Sequence, residues 1–141
     1  MKKGIVVLFL SSFLIVIDQL SKYLIRQFGG FYICNKHLAF GLNVKHGFYL
    51  ILLVLAVIIF LTISKFKIQN SKFQFKMQNY YFLVLILSGG LSNIIDRVYN
   101  GCVIDFVDLR FWPVFNLADV FIVLGVIMLI LKFYQQPTTN N

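Results

Sequence analysis

Five aspartates and no glutamate make up the acid content of this 141-residue chain, so each carboxylate calls for its own explanation. Two of them could do chemistry together. Asp105 lies in the apolar run Val103-Ile104-Asp105-Phe106 with no partner close by in sequence, and Asp119 follows Asn116 by three residues just after Pro113. Asn116 fits a helix N-cap and Asp119 the third helical position, where the helix dipole favours an acid. That structural reading explains Asp119 without chemistry, but it leaves Asp105 unexplained. If the segment carrying Asp105 folds back onto the helix that begins at Asn116, the two carboxylates repel and one keeps its proton near neutral pH. Such a pair can activate a water and protonate a leaving amine.

Two further clusters of ionisable groups lie in or beside apolar runs, where a charge is costly unless paired or hydrated. Asp18 and Lys22 are four apart on one helical face and can form a salt bridge that simply neutralises both. Asn93, Asp96 and Arg97 crowd the end of the run that begins Ser88-Gly89-Gly90. The plain reading there is an Asp–Arg pair capping a helix end, while Arg97 could also meet a phosphate or a peptide carbonyl. His37 and His46 lie in a loop without a neighbouring nucleophile, and no serine sits in a nucleophile-elbow or Ser-Lys pattern. Cys34 and Cys102 are far apart, without His or Cys at metal spacing, so they predict neither a zinc site nor a disulfide framework; they read as small apolar residues with a redox role left open.

The elements that must position these groups are membrane elements. Hydrophobic residues make up 60% of the chain and charged residues 13%, far from a soluble composition. Four apolar segments, approximately Gly4–Ile25, Gly47–Ser64, Tyr80–Asp96 and Asn116–Phe133, can cross a hydrocarbon core of ~30 Å at ~1.5 Å per residue. The first begins Met-Lys-Lys-Gly but continues through Asp18-Gln-Leu-Ser-Lys22 without a small-residue cleavage pattern, and is read as a retained helix. The net charge of +8 sits in short lysine tracts beside apolar runs, which fits lipid headgroups rather than nucleic acid. Lys65, Lys67, Lys72 and Lys76, with no acid among them, mark the loop between segments two and three as cytoplasmic. Both termini then lie inside, and Asp105, Asp108 and Asp119 lie at the outer interface. Residues 29–47 mix aromatic and β-branched residues with polar ones and predict short strands. The domain expected is a single unit over residues 1–134, with a polar tail at 135–141.

In order along nearly the whole chain, Asp18-Gln-Leu-Ser-Lys22, Asn35 with Ala39-Phe40-Gly41, Gly89-Gly90 with Asn93-Ile-Ile-Asp96-Arg97, Gly101-x-Val103-x-Asp105-Phe106 and Phe115-Asn116-x-Ala118-Asp119 resemble the motifs of the lipoprotein signal peptidase (signal peptidase II) family. The resemblance implies an all-α membrane protein of four transmembrane helices with a small extracytoplasmic β-structured cradle. It implies an aspartic-type peptidase of the bacterial cytoplasmic membrane that removes the signal peptide from diacylglyceryl-modified prolipoproteins, cutting before the lipidated cysteine. Asp105 and Asp119 would be its catalytic pair. Asp18, Lys22, Asn35, Asn93, Arg97 and Asn116 would line and support the site, with no metal or cofactor. Partners would be prolipoproteins and membrane lipids, with no nucleic acid, and the protein a monomer. Two positions depart from the family, which usually has glycine where this chain has His37 and Ser92. Two other classes fit the composition. A small transporter or proton-conducting protein predicts carboxylates spread through the membrane's depth, and a noncatalytic scaffold predicts dispensable carboxylates.

Overall fold

The computed structural model describes residues 2–36 and 81–134. In chain order these form α1 (Lys2–Gln27), β1 (Ile33–Asn35), α2 (Tyr81–Asn100), β2 (Val103–Asp105) and α3 (Leu117–Tyr134). Three of the four expected apolar segments are thus helices, α2 running four residues past its expected end. The second segment, Gly47–Ser64, lies outside the described residues, as do His37, His46, the lysines that follow and the tail at 135–141. By length and composition α1 and α2 can each cross a membrane, and Leu117–Leu131 within α3 is a shorter apolar helix.

Helix ends follow from local chemistry. α1 stops where Gly29 takes a φ of 70°, and the N–H of Gly30 donates to the carbonyl of Ile25 at 2.9 Å, a glycine-terminated C-cap that satisfies an orphan carbonyl. α2 stops at Gly101, with a φ of 72°. Both turns need the left-handed region that glycine enters without a Cβ penalty.

α1 and α2 run parallel, since Gln19 bonds to Ser92, Lys22 to Asn93 and Arg26 to Asn100. α3 returns antiparallel along α2. Two glycines let their backbones approach. A Cβ on Gly89 would collide with the carbonyl oxygen of Ala118 and lie 2.8 Å from Ile122 Cγ1, and one on Gly125 would lie 2.6 Å from the carbonyl oxygen of Phe82. The packing is polar at one end of the bundle. Asp18 is 0% exposed while Leu8 and Phe9 are 70% and 72% exposed, the inverse of a soluble fold and the arrangement an apolar solvent selects.

β1 pairs antiparallel with β2 in the register Ile33↔Asp105, Cys34↔Ile104 and Asn35↔Val103. One strand of the region expected to form strands is therefore seen, and its partner comes from the segment after α2 that carries Asp105. This pairing overturns the expectation for the cysteines: Cys34 and Cys102 form a disulfide, with Cα atoms 5.5 Å apart across 68 residues of sequence. Separation in sequence argued against a bond that strand pairing makes geometrically easy. Beyond β2, the N–H groups of Phe106 and Val107 both donate to the carbonyl of Phe115, at 3.0 and 2.8 Å. The intervening loop carries exposed Phe111 and Trp112 before the chain enters α3.

Gly89→Ala should force the first turn of α3 away from α2, lowering stability by about 1–3 kcal/mol. Gly4→Ala, where nothing lies within 4 Å of the added Cβ, should leave it unchanged. Thermal unfolding of both variants in detergent checks the contrast.

Candidate active site

The polar end of the bundle is organised around Lys22. Its ammonium lies 2.6 Å from Asp18 Oδ2 and 2.8 Å from Asp96 Oδ2, and it donates to Asn93 Oδ1 at 3.1 Å. Three donors thus meet three acceptors. Asp18 Oδ2 also accepts from Ser92 Oγ at 2.7 Å and Asp18 Oδ1 from the N–H of Ala118 at 2.9 Å. Asp96 Oδ1 accepts from Gln19 Nε2 at 3.0 Å and Asp96 Oδ2 from the N–H of Ile104 at 3.2 Å. All four carboxylate oxygens are engaged, the condition under which buried charge is tolerable. Asp18 does double duty: it pairs with Lys22 and satisfies an N-terminal amide of α3, where the helix dipole favours an anion.

The expected Asp18–Lys22 pair is therefore present, but as part of a triad. Asp96 does not make the anticipated pair with Arg97, because adjacent helical positions do not face each other; it turns inward to Lys22 and to the amide that opens β2. Arg97 donates from Nη1 to the backbone carbonyl of Asn93 at 3.4 Å. Gln19, Ser92 and Asp96 were not singled out as site residues from sequence. The signal was Ser92 and Asp96 on the helical face that also holds Gly89 and Asn93. Ser92 does more than save space where glycine was expected, since its hydroxyl donates to Asp18 and accepts from Gln19 at 3.0 Å.

Above this triad sit Asp105 and Asp119, linked through two side-chain amides. At the start of α3, Asn116 and Asp119 cap each other: Asn116 Oδ1 accepts from the N–H of Asp119 at 3.0 Å, and Asp119 Oδ2 from the N–H of Asn116 at 3.3 Å. This reciprocal pattern is a capping box with aspartate at its third position. The other oxygen of Asp119 accepts from Asn93 Nδ2 at 2.8 Å. Asn116 Nδ2 donates to Asp105 Oδ1 at 2.6 Å and to Asn93 Oδ1 at 3.1 Å. Asn35 Nδ2, from β1, donates to Asp105 Oδ2 at 2.9 Å. The partners Asp105 lacked in local sequence arrive from 11 and 70 residues away. Asp105 is buried and Asp119 partly exposed, so the pair opens to its surroundings on the Asp119 side. Asp108 stands apart, exposed, accepting the N–H of Arg110 at 2.7 Å. Among the described residues no group of His, Cys, Asp or Glu could hold a metal ion.

Burial is the main cause that raises the Asp105 carboxyl above its ordinary 3.8. The hydrogen bonds from Asn35 and Asn116 oppose it, the charge of Asp119 adds to it, and the charge of Lys22 again opposes it. A raised carboxyl beside a second carboxylate is the arrangement that a pair acting as both base and acid requires.

The fold has counterparts among bacterial membrane enzymes. One structure determined by the in meso method at 2.3 Å resolution superposes with a TM-score of 0.72, at 27% identity over 96% of this chain and 92% of that one. A second, at 1.9 Å, superposes with a TM-score of 0.69 at 26% identity. The sequence narrows the class. The signal peptidase (SPase) II family model matches residues 10–135, and the chain belongs to that family. The lipoprotein signal peptidase of Moorella thermoacetica is 39% identical, covering 86% of this chain and 88% of its own. That of Actinobacillus succinogenes is 37% identical, covering 95% and 93%.

The raised Asp105 carboxyl makes the stability of the fold depend on pH. A carboxyl with a higher pKa folded than unfolded binds its proton more tightly in the folded state, so its stabilising contribution is full at low pH. It declines as pH rises from about 4 through the folded value. Wild type should therefore lose stability relative to Asp105→Asn between acid and neutral pH, read as the difference in detergent Tm across that range. A flat or rising difference would contradict the shift.

Proposed function

We propose that this protein is an aspartic-type peptidase that removes the signal peptide from diacylglyceryl-modified bacterial prolipoproteins, cleaving before the lipidated cysteine. Asp105 and Asp119 are its catalytic pair. The observation that carries this reading is the two carboxylates held by the Asn93 and Asn116 amides at one end of an apolar bundle, in a member of the signal peptidase II family.

In the mechanism, Asp105 holds the proton, consistent with its burial, and Asp119, the more exposed of the two, accepts a proton from the attacking water. The water adds to the scissile carbonyl, and the proton on Asp105 passes to the departing amine. Asn93 and Asn116 orient the carboxylates, Asn35 steadies Asp105 from β1, and Asp18 and Lys22 hold the helices that present them. Arg97, beside Asn93 on α2, takes the role of a substrate contact. No metal or cofactor enters the scheme.

The proposed setting is a four-span monomer of the bacterial cytoplasmic membrane, with residues 1–134 as one domain, both termini inside and the site at the outer face. The parallel course of α1 and α2 supports a crossing between them, and the lysine-rich loop before α2 supports the sidedness. Exposed Phe111 and Trp112 in the loop leading to α3 suit the membrane–water boundary, where aromatic residues are enriched. The substrate's acyl chains would stay among apolar helix surfaces while its cysteine meets the pair.

Cleavage of a diacylglyceryl-modified precursor by purified wild type, Asp105→Asn and Asp119→Asn tests the assignment. Each folded variant should lose at least about 10³-fold in kcat, the order expected when a group central to acid–base chemistry is removed. Near-wild-type turnover by either variant would take that residue out of the pair.

A further inference from the structure

The disulfide stands outside the residues that bear on the reaction, yet it joins the two strands that carry two of them. Cys34 immediately precedes Asn35, the donor to Asp105 Oδ2, and Cys102 lies three residues before Asp105. The strands are three residues each, and a two-stranded ribbon so short is marginal without further support. Its register matters, because a slip of one residue turns every side chain to the opposite face and would carry Asn35 away from the carboxylate. β2 has a second anchor, since the N–H of Ile104 donates to Asp96 on α2. Opening the disulfide therefore removes the covalent tie between β1, which carries Asn35, and β2, while Asp105 stays on the bundle. Cys102 is buried but Cys34 is exposed, so a thiol can reach the bond from the Cys34 side.

We propose that the Cys34–Cys102 disulfide is a positioning element for Asp105, holding β1 in register so that Asn35 keeps its hydrogen bond to the carboxylate, and that its reduction slows cleavage. The proposal rests on the peptidase reading above. A dithiol opens the bond in two exchanges. One reductant thiolate attacks the Cys34 sulfur, and Cys102 departs as a thiolate that takes up a proton. The reductant's second thiolate then attacks its own sulfur in the mixed disulfide, and Cys34 departs and is protonated. Two electrons and two protons pass to the cysteines, and the reductant leaves as a cyclic disulfide. Formation is the reverse, with an oxidised dithiol accepting the electrons, a reaction suited to an exported face.

The test compares purified wild type before and after dithiothreitol with the Cys34→Ser/Cys102→Ser variant and Asn35→Ala, with free thiols counted by mass. Reduction of wild type should expose two thiols and lower kcat about tenfold, with KM held within about twofold; reoxidation should restore the rate. The alkaline limb of the pH profile should move upward, because a carboxylate that loses a donor keeps its proton to higher pH. A merely structural role would not move that limb. The double serine variant should start at the lowered rate and ignore dithiothreitol, and Asn35→Ala should reproduce both the rate loss and the shifted limb. Folded, fully reduced wild type with unchanged kcat and limb would overturn the proposal, as would two free thiols in the enzyme before reduction. An oxidised wild type that fails to cleave would instead defeat the peptidase reading. Hydrogen exchange at residues 33–35 then decides the inference alone: faster exchange on reduction supports it, and unchanged exchange overturns it.

Discussion

A single buried ammonium holds this bundle in register. Lys22 on α1 lies between Asp18 on its own helix and Asp96 on α2, while Asp18 accepts the amide of Ala118 at the start of α3. Three helices therefore converge on one pair of opposite charges and its excess carboxylate. Desolvating such ions costs several kcal/mol each, and taking away one partner leaves an uncompensated buried charge worth about 3–5 kcal/mol. The cluster is stable only when every oxygen and every ammonium proton is matched, and that exactness is what fixes the helices relative to one another. Ionisable residues in apolar helices are also what a transporter would retain. Here Asp18, Lys22 and Asp96 lie at one end of the bundle and bond to one another, which accounts for their presence by structure.

Asp105 and Asp119 inherit their positions from this arrangement. Asn93 is the link between the two layers: its carbonyl oxygen accepts from Lys22 and Asn116, and its amide donates to Asp119. With donors on one side and an acceptor on the other, the amide has one satisfactory orientation. Asn116 continues the chain to Asp105, and Asp96 anchors the strand on which Asp105 rides. Asp105 is held from three elements at once, and burial, with the charge of Asp119 adding to it, raises its carboxyl above the ordinary value. Preorganisation of this kind, with rigid helices behind the two carboxylates, is how a small site holds its geometry.

Much of this was legible in sequence for definite reasons. Apolar length revealed α1, α2 and α3, and Asn116 three residues before Asp119 announced the cap that starts α3. The pairing of Asp18 with Lys22 follows from helical spacing alone. What was hidden depends on contacts between distant segments. The inward turn of Asp96 requires knowing that α1 packs parallel to α2, and Ser92 takes up its hydrogen bonds only when Asp18 stands opposite. The disulfide is hidden for the same reason: nothing in the spacing of Cys34 and Cys102 shows that β1 pairs with β2. Asp105 was the informative anomaly, a carboxylate without local partners whose partners proved to be remote.

Asp18 and Asp96 are committed to Lys22, whereas Asp105 and Asp119 are the carboxylates proposed to meet the substrate. A crystal structure with a non-cleavable diacylglyceryl peptide, bearing a tetrahedral hydroxyl at the scissile position, tests that division most directly. The hydroxyl should lie within hydrogen-bonding distance, about 2.5–3.0 Å, of both Asp105 and Asp119, with the Lys22 triad unchanged beneath. A hydroxyl bound by Asp18 or Asp96, or by neither member of the proposed pair, would contradict it.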